Sequence, residues 1–493
     1  IGYEAGGALT TGGENTILGN YAVSTGVLTG NGNVAIGRLA GQDLTSAEGN
    51  VIIGRSAAQQ ATTSDGNVII GDGAVQVGIL TGNDNVVLGQ GAGVDLTSAA
   101  QNVIIGEQSG AQITTASENV YIGHKAAGTG IGTSGYNVAI GNEAGEAATS
   151  MSESVAIGYR ALEANTTGSH NIGIGYTALD QATTEVHNLA IGTSALGGAI
   201  NGGEQNISIG NYSLDALTSA DKNVAIGYSA GGGLTTSNSN VFIGYNSASN
   251  ATITGNGQNN AIGSSSLYSI TEGIYNNCIG ASSLSAVTTG DNNIAMGHDA
   301  GGVVTTGHHN TFIGYKAIAS GTGVDNEIAI GHGASTTTFP AGGTGTIKMG
   351  MYNNYISNTF TSNANWAHSS DERWKKNINN NDIGLDFIND LRTVTYNWKA
   401  FAEIDPSLSE YDAEKTEYVH PEIQHGLIAQ EVKSALEKNG IDQFAGWYED
   451  QTHADKQQGI SESMYVIPLI KAVQELSTQN EELKERIAAL EDA

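Results

Sequence analysis

The 493-residue chain has 69 glycines, 4 prolines and only 14% charged residues, and its 49 acidic against 19 basic side chains give a formal charge of −30. So acidic a surface repels phosphate backbones and anionic lipid, which excludes general nucleic-acid binding and membrane insertion as functions. The composition is too regular for a disordered chain and too poor in large side chains for several thick globular cores, while glycine lacks the every-third spacing of collagen. One cysteine, Cys278, excludes an intrachain disulfide. No apolar run reaches the length of a membrane span, and no secretory leader is recognisable. The sequence opens at Ile1 inside a repeat, so a module that attaches the repeats to something else is expected upstream.

Residues 1–350 are a single short phrase, Asn-Val-Ala-Ile-Gly and its variants, whose glycine recurs from Gly2 through Gly19, Gly37 and Gly54 to Gly350. The interval is 17 or 18 residues, with 19 only at Gly244 to Gly263 and Gly331 to Gly350. A period this constant denotes the coil of a solenoid. About twenty coils at ~4.8 Å give a rod of roughly 90–100 Å.

Within the unit, the position before the glycine is Ile, Leu or Met and the position two earlier is mostly Val or Ile, as in Val34 and Ile36. Alternation along a strand predicts that this pair faces the core, while the variable middle position (Ala35, Ile52, Tyr121, Phe242, Cys278) faces outward or toward a neighbouring chain. Ala or Ser three residues after the glycine marks a tightly packed point. Asn four residues before it, as at Asn33, Asn50 and Asn223, predicts an amide ladder between coils, interrupted at Ser154 and Glu327 and broken again at Thr346. Thr-rich stretches such as Leu44-Thr45-Ser46 are expected to supply a second short strand. Small-residue faces on so slender a coil point to a trimer. The phrase resembles the head repeats of YadA-like trimeric adhesins, left-handed β-rolls, although the period here is longer.

The composition changes after Gly350, and 12 of the 19 basic residues and all four tryptophans follow it. Residues 351–369 read as a neck, 370–468 as a small α+β domain and 469–493 as a coiled coil. The coil is carried by Leu469, Val473, Leu476, Asn480, Leu483, Ile487 and Leu490, spaced alternately four and three, with Asn480 able to fix register. The alternative is a single amphipathic helix packed on its own domain.

Several segments here resemble the peptidase S74 family: Ser370-Asp-Glu-Arg-Trp-Lys375-Lys-Asn-Ile378, Gly384-Leu-Asp-Phe-Ile388, Leu391-Arg-Thr-Val-Thr-Tyr-Asn-Trp-Lys399, His425-Gly-Leu-Ile-Ala-Gln-Glu-Val432 and Tyr465-Val-Ile-Pro-Leu-Ile-Lys-Ala-Val-Gln-Glu-Leu476. This is the intramolecular chaperone at the end of phage tailspikes, tail fibres and endosialidases. The resemblance implies a homotrimer whose C-terminal domain assists folding of the stalk and then cuts itself off between Ser369 and Ser370. Ser370 is then the nucleophile, Lys375 its general base, and Asp371 an orienting neighbour. Arg373 and Lys376 are placed to lower the pKa of Lys375, without which an amine is a poor base at neutral pH.

Other signals carry less. Gly128-Thr-Gly130-Ile-Gly132 lacks the strand–helix context and lysine of a phosphate loop. His308-His309 and the acidic turn residues Asp84, Asp95 and Asp291 read as polar surface, and no insertion builds a glycosidase cleft. No cofactor or metal is expected. The expectation is a virion stalk that meets a host cell-surface receptor, a glycan or outer-membrane component, and joins other tail proteins through a segment upstream of Ile1. A bacterial surface adhesin with the same chaperone is the alternative, and a glycan-degrading spike a more distant one.

Overall fold

The computed structural model describes all residues except 8, 131, 255, 333–338, 341–344, 352–353, 360–371, 373–374, 409–410, 418–421, 450–454 and 493. The chain divides into two compact units, Ile1–His368 and Ser369–Ala493.

The first unit is a parallel β-solenoid with one coil per sequence repeat. Three-residue strands run from Thr16–Leu18, Val34–Ile36 and Val51–Ile53 to Ile328–Ile330, and Thr346–Met351 closes the series. Each pairs in parallel with the next, residue for residue: Val34 lies opposite Val51, Ala35 opposite Ile52 and Ile36 opposite Ile53. The coils are thus made by one chain, and parallel register is held from first strand to last. Asn354–Thr359, within the stretch expected as a neck, instead turns back as an antiparallel strand on Thr346–Met351.

The corner glycine is required twice over. Gly37 has φ +136°, a region closed to L side chains, and a Cβ there would lie 2.3 Å from the carbonyl oxygen of Gly54 in the next coil. Gly158 repeats this against Gly175 at φ +133° and 2.3 Å. The corner continues through a left-handed residue two positions on, which is often not glycine: Leu39 at +63°, Arg160 at +53° and even β-branched Thr177 at +49°. Coil-to-coil hydrogen bonds hold these residues there; Arg160 N–H, for example, donates to Asn142 O at 3.0 Å.

The strand faces are the reverse of the sequence expectation. The middle residue is the buried one: Ala35, Phe242 and Cys278 are wholly inaccessible, and Ile52 and Tyr121 nearly so. Val34 and Ile36 are only half-buried. The middle position varies because its volume is matched inside the coil stack. Phe242 lies over Gly231 of the preceding coil, where a Cβ would come within 2.9 Å of its ring, and Phe312 lies over Gly301 at 2.8 Å. Large side chains therefore occur where the neighbouring coil leaves room. The outward Val and Ile columns are uniform because each residue stacks on its like in the next coil.

The asparagine ladder forms as expected. Asn50 N–H and Nδ2 donate to Asn33 Oδ1 at 3.1 and 3.0 Å, and Nδ2 also donates to Ser64 O at 2.7 Å. These amides are 0–2% exposed from Asn33 to Asn310, so buried backbone groups that a strand cannot reach are satisfied by side chains. Ser154 continues the ladder with a hydroxyl that accepts Asn171 N–H at 3.2 Å. At the other interruption, Glu327 N–H donates to Asn310 Oδ1 at 2.8 Å, and its carboxylate turns to Ser320. The expected second strand at the Thr-rich stretches does not recur among the described residues. There the coils are joined by irregular backbone bonds and by hydroxyls, Thr45 Oγ1 donating to Thr62 O at 3.0 Å.

Candidate functional site

The second unit is small and built around Phe387, Val432, Leu436 and Tyr465. Helix α1 (Leu385–Asn389) brings in Phe387, helix α2 (Ala429–Lys438) brings in Val432 and Leu436, and the long helix α3 (Val466–Glu491) follows directly on Tyr465. The Phe387 ring stacks on Tyr465 and meets Phe444 edge-on at 5.5 Å. The buried Tyr465 hydroxyl donates to Gly446 O at 3.1 Å.

Carboxylates tie the helices together. Glu475 of α3 accepts the Leu385 N–H at 2.7 Å and pairs with Lys471 at 3.3 Å, so it caps α1 from another helix. That backbone bond, then Lys471, holds its carboxyl below the usual range. A side chain at Gly384 would push the Glu475 carboxylate off the cap, since a Cβ there would lie 2.3 Å from Oε2. Asp390 accepts from Lys438 at 2.5 Å and from Asn439 at 2.8 Å. Arg392 forks onto Glu431 from two nitrogens.

A two-stranded antiparallel ribbon, Val394–Tyr396 with Gln424–Gly426, stands beside these helices. Between the ribbon and the start of α3 lies an apolar groove of 620 Å³, lined by Leu391, Val394, His425, Glu462, Tyr465 and Leu469.

The four motifs after the Ser370 segment each have a structural duty. Gly384–Ile388 forms α1 and its cap, the Leu391 segment and His425-Gly426 form the ribbon, and Tyr465–Leu476 closes the core and starts α3. Ser369, Ser370 and Asp371 lie outside the described residues, as does Arg373. Lys375 is exposed, its N–H donating to Glu372 O at 3.0 Å, and Lys376 is exposed as well.

Helix α3 turns its heptad residues outward within the unit. Leu469, Val473, Leu476, Leu483, Ile487 and Leu490 are 47–77% exposed, and α3 buries only Pro468 and Ala472. From Ser477 onward every described helix residue is exposed, so packing on its own domain does not account for the stripe.

In the solenoid, the turned-in chemistry is structural. Burial pushes the Cys278 thiol up to about 12, which makes it packing rather than a nucleophile. His308 Nδ1 accepts the Asp291 backbone N–H at 3.1 Å, and the His308 backbone N–H donates to Asp325 Oδ1 at 2.7 Å, so this histidine belongs to the turn ladder. Sequence reading missed a carboxylate group formed across successive coils by Glu143, Glu146 and Glu163. Arg160 lies 3.2 Å from Glu143 and 2.5 Å from Glu163, and Lys125 lies 3.9 Å from Glu146. Lys125, Glu143 and Arg160 each sit two positions after a corner glycine (Gly123, Gly141 and Gly158), and that alternation of charge along one column was the signal available.

No helix among the described residues is long and apolar enough to cross a membrane. A protein-family model described as chaperone of endosialidase, peptidase S74, matches residues 370–441. No curated protein matches the chain. A long β-solenoid followed by this domain has the architecture of a tail fibre or tailspike ending in an S74 chaperone.

Proposed function

We propose that this chain, which carries an S74 chaperone at residues 370–441, is the stalk of a phage tail fibre or tailspike and meets the host cell surface as a homotrimer. The observation that carries the reading is the placement of that domain directly after a solenoid whose coils are nearly interchangeable. From Thr16–Leu18 to Ile328–Ile330 the coil strands pair through the same three-residue register, so chains aligned side by side can slip by a whole coil at little cost. A C-terminal clamp sets all three chains at one starting coil. The outward heptad stripe of α3 supports the clamp, with Asn480 as the polar residue on the seam. The outward Val, Ile and Met columns of the strands, with Ile279 49% and Met296 45% exposed, support lateral association of the solenoids.

Self-cleavage then releases the clamp. Ser370 Oγ attacks the Ser369 carbonyl carbon, and the Oγ–C bond forms as the C–N bond breaks. Lys375 Nζ takes the hydroxyl proton and returns it to the leaving amine. Water hydrolyses the resulting ester, freeing the Ser369 carboxylate and the Ser370 hydroxyl. The rod left behind is kinetically trapped, because each chain refolds only through the lost clamp.

Expression of residues 1–369 beside the full chain tests the chaperone role. The full chain is expected to give soluble trimeric rods, and 1–369 alone aggregates or rods of mixed size by sedimentation velocity. Uniform trimers from 1–369 would remove the need for the C-terminal domain.

A further inference from the structure

One edge of the solenoid departs from the acidic character of the rest. In seven successive coils, from Tyr176 to Ser282, the two positions after each corner glycine hold only Tyr, Thr, Ser, Asn or Ala. In earlier coils the same positions carry Arg38, Arg55, Asp72, Lys125, Glu143 and Arg160, and Asp299 and Lys316 follow. A chain of net charge −30 has here an unbroken uncharged strip.

The strip is aromatic and exposed. Tyr176, Tyr212, Tyr228 and Tyr245 are 41–58% accessible. Tyr228 and Tyr245 stack at 5.4 Å, with Tyr212 edge-on to Tyr228 at 5.8 Å. Tyr159 covers one side of Tyr176 at 5.1 Å. The next coil on the other side carries Thr193, too small to cover the ring. Between Tyr176 and Tyr228 the floor is therefore Thr193 and Asn211, whose side chain accepts the Thr193 N–H at 3.0 Å. The neighbouring hydroxyls of Thr177 and Ser194 lie 3.0 Å apart.

We propose that this strip binds a neutral polysaccharide lying along the solenoid axis. Rigid aromatic rings among small hydroxyl and amide groups are the composition of adaptable recognition surfaces. Pyranose faces pack on such rings, and sugar hydroxyls exchange hydrogen bonds with Thr, Ser and Asn. A hydroxyl recurs at every coil of the strip, ~4.8 Å apart and close to the advance of one sugar along a chain, with rings at four of the seven coils, which suits a linear repetitive partner. The absence of charge selects an uncharged polymer. The proposal rests on the adhesive reading above and names the surface that adheres.

The test is affinity electrophoresis of the full chain in gels containing dextran, mannan or galactan, with hyaluronan as the acidic control. Wild type is expected to be retarded by at least one neutral polymer and not by hyaluronan. The triple variant Tyr176→Ser, Tyr228→Ser, Tyr245→Ser and, separately, Thr193→Glu are expected to bind at least tenfold more weakly. Tyr136→Ser, an exposed tyrosine outside the strip, should bind as wild type does. Equal retardation of the triple variant, or no retardation of wild type by any neutral polymer, overturns the proposal. So does loss of the trimer in the triple variant by sedimentation, which assigns the strip to contact between chains. Fluorescently labelled rods on Gram-negative strains of differing surface polysaccharide separate the two readings. Equal labelling by wild type and triple variant removes the strip and leaves adhesion standing, whereas labelling of no strain removes adhesion itself.

Discussion

Replacing Asn276 by alanine removes one rung of the buried amide ladder, and the cost follows from its bonds. Asn276 is wholly buried; its Oδ1 accepts both Asn293 N–H and Asn293 Nδ2 at 3.0 Å, and its Nδ2 donates to Gly290 O at 2.8 Å. Asn293 Nδ2 keeps a second acceptor at Gly307 O, so the groups left without a partner are the Asn293 N–H and the Gly290 carbonyl. Two buried orphans at about 1–3 kcal/mol each give about 2–6 kcal/mol. A solenoid opens locally, so the assay is hydrogen exchange at the Asn293 amide rather than one melting temperature. Protection is expected to fall at least ~30-fold, the factor that about 2 kcal/mol represents. Asn276→Ser should lose less, because the natural serine at 154 still accepts the next amide. Asn142→Ala, at an exposed amide, serves as the control. If Asn276→Ala leaves Asn293 as protected as that control does, the ladder is decorative and the reasoning fails.

Three further substitutions probe other parts of the account. Phe242→Ala empties the space over Gly231 and should cost about 3–5 kcal/mol of local stability, while Gly231→Ala overfills it. In a double-mutant cycle the two effects should not add, and additivity would deny that they share one space. Glu475→Gln tests the α1 cap: the folded carboxyl is held below its ordinary pKa, so its contribution is complete above the unfolded value and is lost as pH falls through the folded one. The wild-type C-terminal unit should therefore lose stability on acidification through the carboxylate range more steeply than the variant, and parallel pH profiles by circular dichroism would contradict the cap. Leu483→Asp, on the exposed heptad stripe, should reduce trimer yield in sedimentation without changing helix content of the monomer, and undiminished trimer would remove α3 from the clamp.

The sequence displayed the solenoid because each coil must solve the same problem at the same place. Gly37 and its equivalents meet a carbonyl of the next coil, and Asn33 and its equivalents satisfy amides that no strand can reach. Period, corner and ladder were legible from those residues alone. Strand facing is not legible there, because in an ordinary sheet uniform apolar positions mark the core and variable ones the surface. In a coil this narrow the reverse holds: Phe242 and Ala225 are both core residues, each sized to its neighbouring coil, and Val and Ile are uniform because they stack in open columns. Helix α3 was legible from its heptads, since nothing on its own unit interrupts them. The cap of α1 was hidden, because Glu475 lies 90 residues from Leu385 and no local pattern links them. The Tyr176–Ser282 strip was equally hidden, being a property of two columns read across coils rather than along the chain.

Intact-mass measurement of the full chain beside Ser370→Ala, each after purification as the trimer, tests the central claim most directly. The wild-type 50.6 kDa chain is expected as two fragments, residues 1–369 and 370–493, while Ser370→Ala stays whole and trimeric. A wild-type trimer that remains full length, or a Ser370→Ala chain cut at the same bond, would contradict it.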